Sequence, residues 1–490
     1  MPSTDSRLAR LERRTEKLGS RVIELEAEVA ELEAEVAARD ERIAELKAEN
    51  AKLRSEANRS SLNSSKPPSS DSPKERAKRK EKGRRKSSGR RRGGQPGHKG
   101  HQRQLLPPDK VTRTRDRFPK RCSCCRGQLP KVPHGEPIRH QTVEIPKLEP
   151  DVTENRLHAV ECPRCETVTR AQLPADVPRG MCGPNLMALT TLMVGVYHLS
   201  RRQAVSFLGD VLGVRISLGC VSKIEGRVTK MLAPAHAEAA AIVGRARAKH
   251  ADATGWRQSG TPRTLWVIAS KLATVFHIVA DGSQARFQEL IRNLGILVTD
   301  RGSQFGFWSL ERRQVCWAHL ARKFVAFSEH DDPRAAQLGR ALVLLTGVMF
   351  RAWHKVRDGT MSRDEFRGFA GQLRAYVEGH LRRGAKLRLK GVSGSCKHML
   401  AHADAMWTFA RVPGVEPTNN HAEREFRRFV IWRKTSFGSQ SDRGDRFAER
   451  IMTVVHTLRK HDRHVLTFLR DTIKASMRGE PTPSLISATP

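Results

Sequence analysis

The sequence predicts a multidomain α+β protein, and three observations carry that prediction. A seven-residue apolar repeat fills the first fifty or so positions, two Cys-x-x-Cys pairs stand at 122–125 and 162–165, and strand-like segments between about 244 and 325 give way to helical periodicity. A chain of 490 residues is long enough for several domains. Its formal net charge of +37 and pI near 10.8 favour a polyanionic partner, bound through counterion release that depends on salt more than on sequence. The first residues are polar and charged, unlike a secretory leader, and no run of about 20 apolar residues occurs. A cytoplasmic, nucleoid-associated protein with no membrane span is therefore expected. Nine cysteines, several in close pairs, point to metal rather than disulfides.

Residues 1–57 are read as a coiled coil. Leu11, Leu18, Leu25, Leu32, Leu46 and Leu53 repeat at the d position, with Arg39 the one charged member. Leu8, Thr15, Val22, Val29, Val36, Ile43 and Asn50 fall at a. β-Branched a residues with Leu at d favour a parallel dimer, and Asn50 can fix its register. Glu28 opposite Glu33 and Glu35 opposite Asp40 weaken a homodimer, so a basic heteropartner stays open beside self-association. From 58 to 110 the composition turns to Ser, Pro, Gly, Lys and Arg without the apolar residues of a core, which predicts a flexible basic arm along DNA phosphates or a plain linker.

A zinc-binding domain is expected over 111–175. Cys122, Cys125, Cys162 and Cys165 can close a tetrahedral Zn²⁺ site, and the long interval between the pairs suggests an inserted hairpin such as TVEIPKL. Cys124 is an extra thiol that can compete. Over 176–235 the cadence is that of a helix-turn-helix, with a first helix from Arg201 to about Leu212, a turn at Gly213 and a second helix from near Ser217. That second helix would offer Ser222, Lys223 and Arg227 to a DNA groove, although such helix pairs also serve as plain packing units.

Three acids organise the remainder. Asp252 lies in a strand-like run, the segments 264–270 and 273–280 read as two strands joined by a tight turn, SQARFQELIRNLG reads as a crossover helix, and Asp300 ends the apolar run GILVTD. A helical insertion over 326–415 separates Asp300 from Glu423, because an interval that long does not suit a single loop. Thr418 or Asn419 can cap the next helix, which places Glu423 and Arg427 on one face. Carboxylates from strand ends and a helix suit Mg²⁺, which prefers oxygen ligands. Arg427, Arg428, Arg433 and Lys434 are positioned to hold DNA beside that site. His319, in the Cys316-x-x-His319 spacing, either reaches a DNA phosphate or is a satisfied core histidine; the pair alone supplies too few ligands for zinc. The core is expected at 244–325 and 416–465, and a disordered tail beyond about Arg478 within 466–490.

The segments HADATGW, LVTD, CWAHLARKF and TNNHAER, the last followed by Arg427, resemble the signature blocks of DDE transposases of the insertion-sequence 66 family. The likeness extends over nearly the whole chain, from NSSKPPSSD and GGQPGHKG onward. It implies an RNase H-like α/β catalytic core in which Asp252, Asp300 and Glu423 bind Mg²⁺ (or Mn²⁺). It further implies an upstream zinc module, terminal inverted repeats and target DNA as partners, and small accessory transposition proteins. The activity implied is 3′-end cleavage and strand transfer. A nuclease that cuts without joining, and a catalytically inactive or domesticated DNA-binding regulator, are the alternatives.

Overall fold

The computed structural model describes residues 104–174 and 176–486, preceded by helical residues 33, 35–36, 38–46 and 49. The basic arm over 58–103 and most of the heptad lie outside the described residues. Within the described part of the repeat, Val36, Ile43 and Leu46 occupy a and d positions and are exposed on the single chain.

Between 104 and 174 the chain forms little regular structure. β1 (Ala159–Glu161) and β2 (Val168–Arg170) pair antiparallel around the second cysteine pair. TVEIPKL at 142–148 forms no strand and pairs in no ladder. Pro146 lacks a backbone donor and the segment is exposed, so the inserted hairpin expected there is absent. The hairpin of this region instead flanks the second knuckle.

Four helices follow: α1 (Pro184–Gly195), α2 (Arg201–Leu212), α3 (Leu218–Met231) and α4 (Ala233–Arg245). A capping box of Ser200 and Gln203 starts α2, Gly213 ends it at φ +67°, and the Ser217 hydroxyl accepts the Cys220 N–H to start α3. These are the boundaries the turn residues predict. Ala204, Leu208, Val221, Ile224 and Val228 are buried in the same core as the sheet that comes next.

The five-stranded mixed sheet has the order β5-β4-β3-β6-β7. Its strands are β3 (Ala248–Gln258), β4 (Thr261–Ala269), β5 (Thr274–Val279), β6 (Ile296–Thr299) and β7 (Arg313–Val315). β3, β4 and β5 form an antiparallel meander, whereas β6 and β7 add in parallel beyond β3 after the short helix α5 (Gln284–Leu290). Trp256, Trp266, Phe276 and Phe287 fill the space between sheet and helices.

The helical insertion begins ahead of the expected residue 326, because α6 (Trp317–Ser328) already packs in its core, and it runs on through α7 (Pro333–Arg357), α8 (Arg363–Lys386), α9 (Ser393–Leu400), α10 (Ala403–Met406) and α11 (Thr408–Arg411). It has its own core of Trp317, Phe324, Trp353, Phe366, Trp407 and Phe409, which joins the sheet through Ile296, Val298 and Val315.

The chain returns as α12 (Asn420–Ser436), α13 (Asp442–Lys460) and α14 (Val465–Arg478). The turn between α12 and α13 closes directly on the end of β3, where a side chain at Gly438 (φ +105°) would strike the Arg257 carbonyl. β5 is an edge strand, and α13 covers that edge. Glu449, Thr453 and Thr457, spaced one turn apart, accept the N–H groups of Ile278, Phe276 and Thr274. Residues 481–486 are packed rather than loose, which corrects the expectation of a disordered tail over that stretch. Leu485 is fully buried, and Glu238 of α4 accepts the Leu485 N–H at 2.9 Å. Among the described residues, no helix is long and apolar enough to cross a membrane.

Candidate active site

β3 carries Asp252 opposite Val267 of β4, and its parallel register with β6 pairs His250 with Val298. Continuing that register by two residues sets Asp300, just beyond β6, beside Asp252. α12 crosses the same sheet and brings in Glu423 from its first turn. The three carboxylates feel one another: burial, and then the charges of Asp300 and Glu423, push the Asp252 carboxyl up to about 6. One oxygen of each aspartate is engaged locally. Asp252 Oδ1 accepts the Ala253 N–H at 2.8 Å, and Asp300 Oδ1 accepts the Gly302 N–H at 2.9 Å.

Asn419 ties these elements together, a role that residue spacing alone does not show. It stands at the N-cap of α12 with φ −91° and ψ 18°, outside the extended conformation a capping side chain uses, and makes no cap hydrogen bond. Its buried side chain reaches β3 instead. Nδ2 donates to the Ala251 carbonyl at 2.9 Å, and Oδ1 lies 3.2 Å from His250 Nδ1. Its backbone N–H donates to Cys316 Sγ at 3.1 Å, and its carbonyl accepts the Glu423 N–H at 3.2 Å. One residue thereby joins the strand of Asp252, the start of α6 and the helix of Glu423.

Arg313 does comparable work behind Asp300. It is almost completely buried, and its guanidinium donates to the Asp300 and Phe305 carbonyls and to the Thr299 hydroxyl. Burial pulls it down to about 10, and neutral acceptors fix the loop that follows β6. On the far side of α12, burial by itself would raise the Glu425 carboxyl. The hydrogen bond and charge of His456, with Lys460 at 2.9 Å, hold it down to about 2 and lock α12 to α13.

Glu423 has partners from α6 rather than from its own helix. Arg322 Nη2 lies 3.4 Å away and His319 Nδ1 3.7 Å away, whereas the expected partner Arg427 is exposed one turn further on. An open cleft beside Asp300 is lined by His319, Arg322, Lys323, Ser395 and His398, so the helical insertion supplies one of its walls.

The other basic candidates separate. Arg427 and Lys434 are exposed on the face of α12 that carries Glu423, while Arg428 is half-buried toward His198 and His456. Arg433 is half-buried and donates to the Gly255 carbonyl and the Thr254 hydroxyl, so it fastens α12 to β3. Lys223 and Arg227 of α3 are exposed. Ser222 is half-buried and accepts from Arg443 of α13 at 2.9 Å.

The two cysteine pairs have the same backbone. Cys122 N–H donates to the Gly127 carbonyl and Cys162 N–H to that of Thr167, N–H groups of Arg126 and Glu166 donate back to the carbonyl of the leading cysteine, and both of those residues have positive φ near 60°. Cys122 is lowered by N–H groups of Cys125 and Cys124, and Cys165 by Thr167. The two pairs do not meet. Among the described residues, the one group of three ligands whose donor atoms all lie within 4.8 Å is Cys316, His319 and Glu423.

The family model described as transposase IS66 family matches residues 179–446, more than half the chain. The chain belongs to the IS66 transposase family. Membership gives it a function in transposition and DNA as its partner. The match begins before α1 and ends within α13, so it includes the helix pair, the sheet, the insertion and all three acids. Residues 13–104 match a family of unknown function, DUF6444. The uncharacterized protein y4hP of Sinorhizobium fredii (strain NBRC 101917 / NGR234) is 23% identical over 423 residues, covering 78% of this chain and 75% of that protein.

Proposed function

We propose that this IS66-family transposase is a DDE-type enzyme with an RNase H-like core, which cleaves element ends to free a 3′-hydroxyl and joins that hydroxyl to target DNA. The observation that carries the proposal is the meeting of Asp252, Asp300 and Glu423, from the middle of the sheet, the end of its parallel neighbour and the helix across it. The donor set fits Mg²⁺ or Mn²⁺. All three ligands are oxygen donors, and the charges of Asp300 and Glu423 acting on buried Asp252 mark a site that gains from a cation. Asp252, Asp300 and Glu423 would together hold two such ions. When bound, such ions activate the attacking oxygen and stabilise the leaving oxygen of an in-line displacement.

The chain's own residues position the substrate. Exposed Arg427 and Lys434 hold the backbone next to Glu423, and Lys223 and Arg227 of the helix-turn-helix-like pair face the terminal inverted repeats. Asn419 and Arg313 hold the carboxylates still, which matters because a misplacement of about 1 Å costs roughly 100-fold in rate. The twin cysteine turns support a structural Zn²⁺ site formed by Cys122, Cys125, Cys162 and Cys165 when the knuckles close on metal. The exposed Val36, Ile43 and Leu46 support self-association through a coiled coil. Accessory transposition proteins are the partners proposed for the acidic face of that heptad.

The test is strand cleavage and joining on labelled element-end DNA with Mg²⁺, comparing the parent protein with Asp300→Asn at matched DNA binding. Joined product from the parent alone is expected. Retained activity in Asp300→Asn would sink the assignment, and tight binding without cleavage by either protein would favour the inactive regulator.

A further inference from the structure

The Cys316-x-x-His319 spacing offers a metal only two ligands, and the fold supplies a third. Cys316 is the N-cap of α6 and His319 lies in its first turn, so both face the same way. α12 then sets Glu423 against them, with the sulfur, an imidazole nitrogen and a carboxylate oxygen all within 4.8 Å of one another. His319 Nδ1 is shielded from solvent, makes no hydrogen bond, and points at Glu423 Oε1 from 3.7 Å. The cation now nearest is Arg322, 3.4 Å from Glu423 Oε1 and 2.9 Å from His319 Nε2. Its side chain is 64% exposed and free to swing away.

We propose that Cys316, His319 and Glu423 form a second metal site, selective for Zn²⁺ over Mg²⁺, whose occupation withdraws Glu423 from the acid trio and silences strand cleavage. Sulfur and imidazole donors select zinc, while magnesium takes oxygen. Three protein ligands leave a fourth position for water on the cleft side. On binding, Cys316 gives up its thiol proton to solvent and His319 coordinates through Nδ1. Nε2 then carries the ring proton and the Arg322 contact is lost. Asn419, whose N–H already donates to Cys316 Sγ at 3.1 Å, steadies the thiolate. The silencing rests on the role proposed for Glu423; the binding does not.

The experiment uses the full chain stripped with a chelator. Zinc uptake by equilibrium dialysis and Co²⁺ absorption are compared in the parent, Cys316→Ser and Arg322→Ala, and Mg²⁺-supported cleavage is followed as zinc is added, each protein normalised to its own zinc-free rate. The cysteine knuckles contribute equally to all three proteins. Cys316→Ser should bind one zinc fewer, lose part of the thiolate-to-cobalt band, and need at least about 10–100-fold more zinc for inhibition, the loss that even an outer-shell partner causes. Arg322→Ala should bind zinc more tightly than the parent. If Cys316→Ser fails to fold, His319→Gln at a half-exposed position makes the same comparison. Equal zinc counts and equal inhibition in parent and variant would overturn the proposal. A parent with no Mg²⁺-dependent cleavage would refute the DDE reading, and the zinc count would then decide the site alone.

Discussion

Asn419→Ala is the substitution that most directly tests how the candidate site is held. The side chain is buried and makes two hydrogen bonds to β3, one with the Ala251 carbonyl and one with His250. Each is worth about 1 kcal/mol net, and leaving a buried partner unpaired adds about 1–3 kcal/mol, so a loss of roughly 3–5 kcal/mol is expected. The backbone bonds to Cys316 and from Glu423 remain, so the helix should stay docked and only its seating on β3 should loosen. A carboxylate displaced by about 1 Å lowers cleavage roughly 100-fold. DNA affinity should change little, because Asn419 is buried and offers phosphate no charge. Urea unfolding gives the first quantity, and end cleavage over a Mg²⁺ titration gives the second, with half-saturation moving to higher metal. Asn419→Asp keeps the acceptor for His250 but sets a buried carboxylate oxygen against the Ala251 carbonyl, and should lose at least as much stability as Ala. A variant that loses the expected stability yet cleaves at the parental rate and metal requirement would show that Asn419 only packs, and would refute the positioning argument.

Two further predictions follow from packing. Burial raises Glu449 from 4.5 to about 7, so its ionisation opposes folding. The penalty is absent below about pH 4.5, grows as pH rises toward 7 and is complete above, with a ceiling of about 3 kcal/mol. Glu449→Gln keeps an acceptor for Ile278 N–H and should be more stable than the parent by urea midpoint near pH 8, with the two converging near pH 4. A less stable variant at the higher pH would contradict it. Leu485→Ala removes a fully buried side chain and should cost about 2–4 kcal/mol. Limited proteolysis should then cut near Ser484, and unchanged resistance would argue against docking of residues 481–486.

Local signals in the sequence translate well into this structure. Ser200, Gly213 and Ser217 are turn and cap residues whose geometry is set by their neighbours, so the boundaries of α2 and α3 follow from them. The order of Asp252, two strands, a helix and Asp300 was legible because strand alternation and a polar helix start are also local. The partners of Glu423 were not. Helical spacing pointed to Arg427, but Arg322 and His319 lie about a hundred positions away and meet it only because the insertion folds back. Asn419 looked like a cap because of where it stands, yet its backbone angles turn the side chain to β3. Arg433 belonged to a basic run, yet it donates to the Gly255 carbonyl and the Thr254 hydroxyl of that strand. A buried cation such as Arg313 leaves no periodic trace; the one hint is an arginine within an apolar strand.

The covering of β5 by α13 has a consequence for synthesis. A ribosome releases the meander well before the helix that satisfies its outer N–H groups, and contacts of such separation close slowly. During that interval the growing chain presents an unpaired strand edge, the surface on which identical chains add to one another. Products that stop between Asp300 and Asp442 would carry the helix pair and both aspartates without this cover. They should accumulate as aggregates rather than as competing DNA binders, so premature termination would remove the protein without leaving an antagonist of the intact copies.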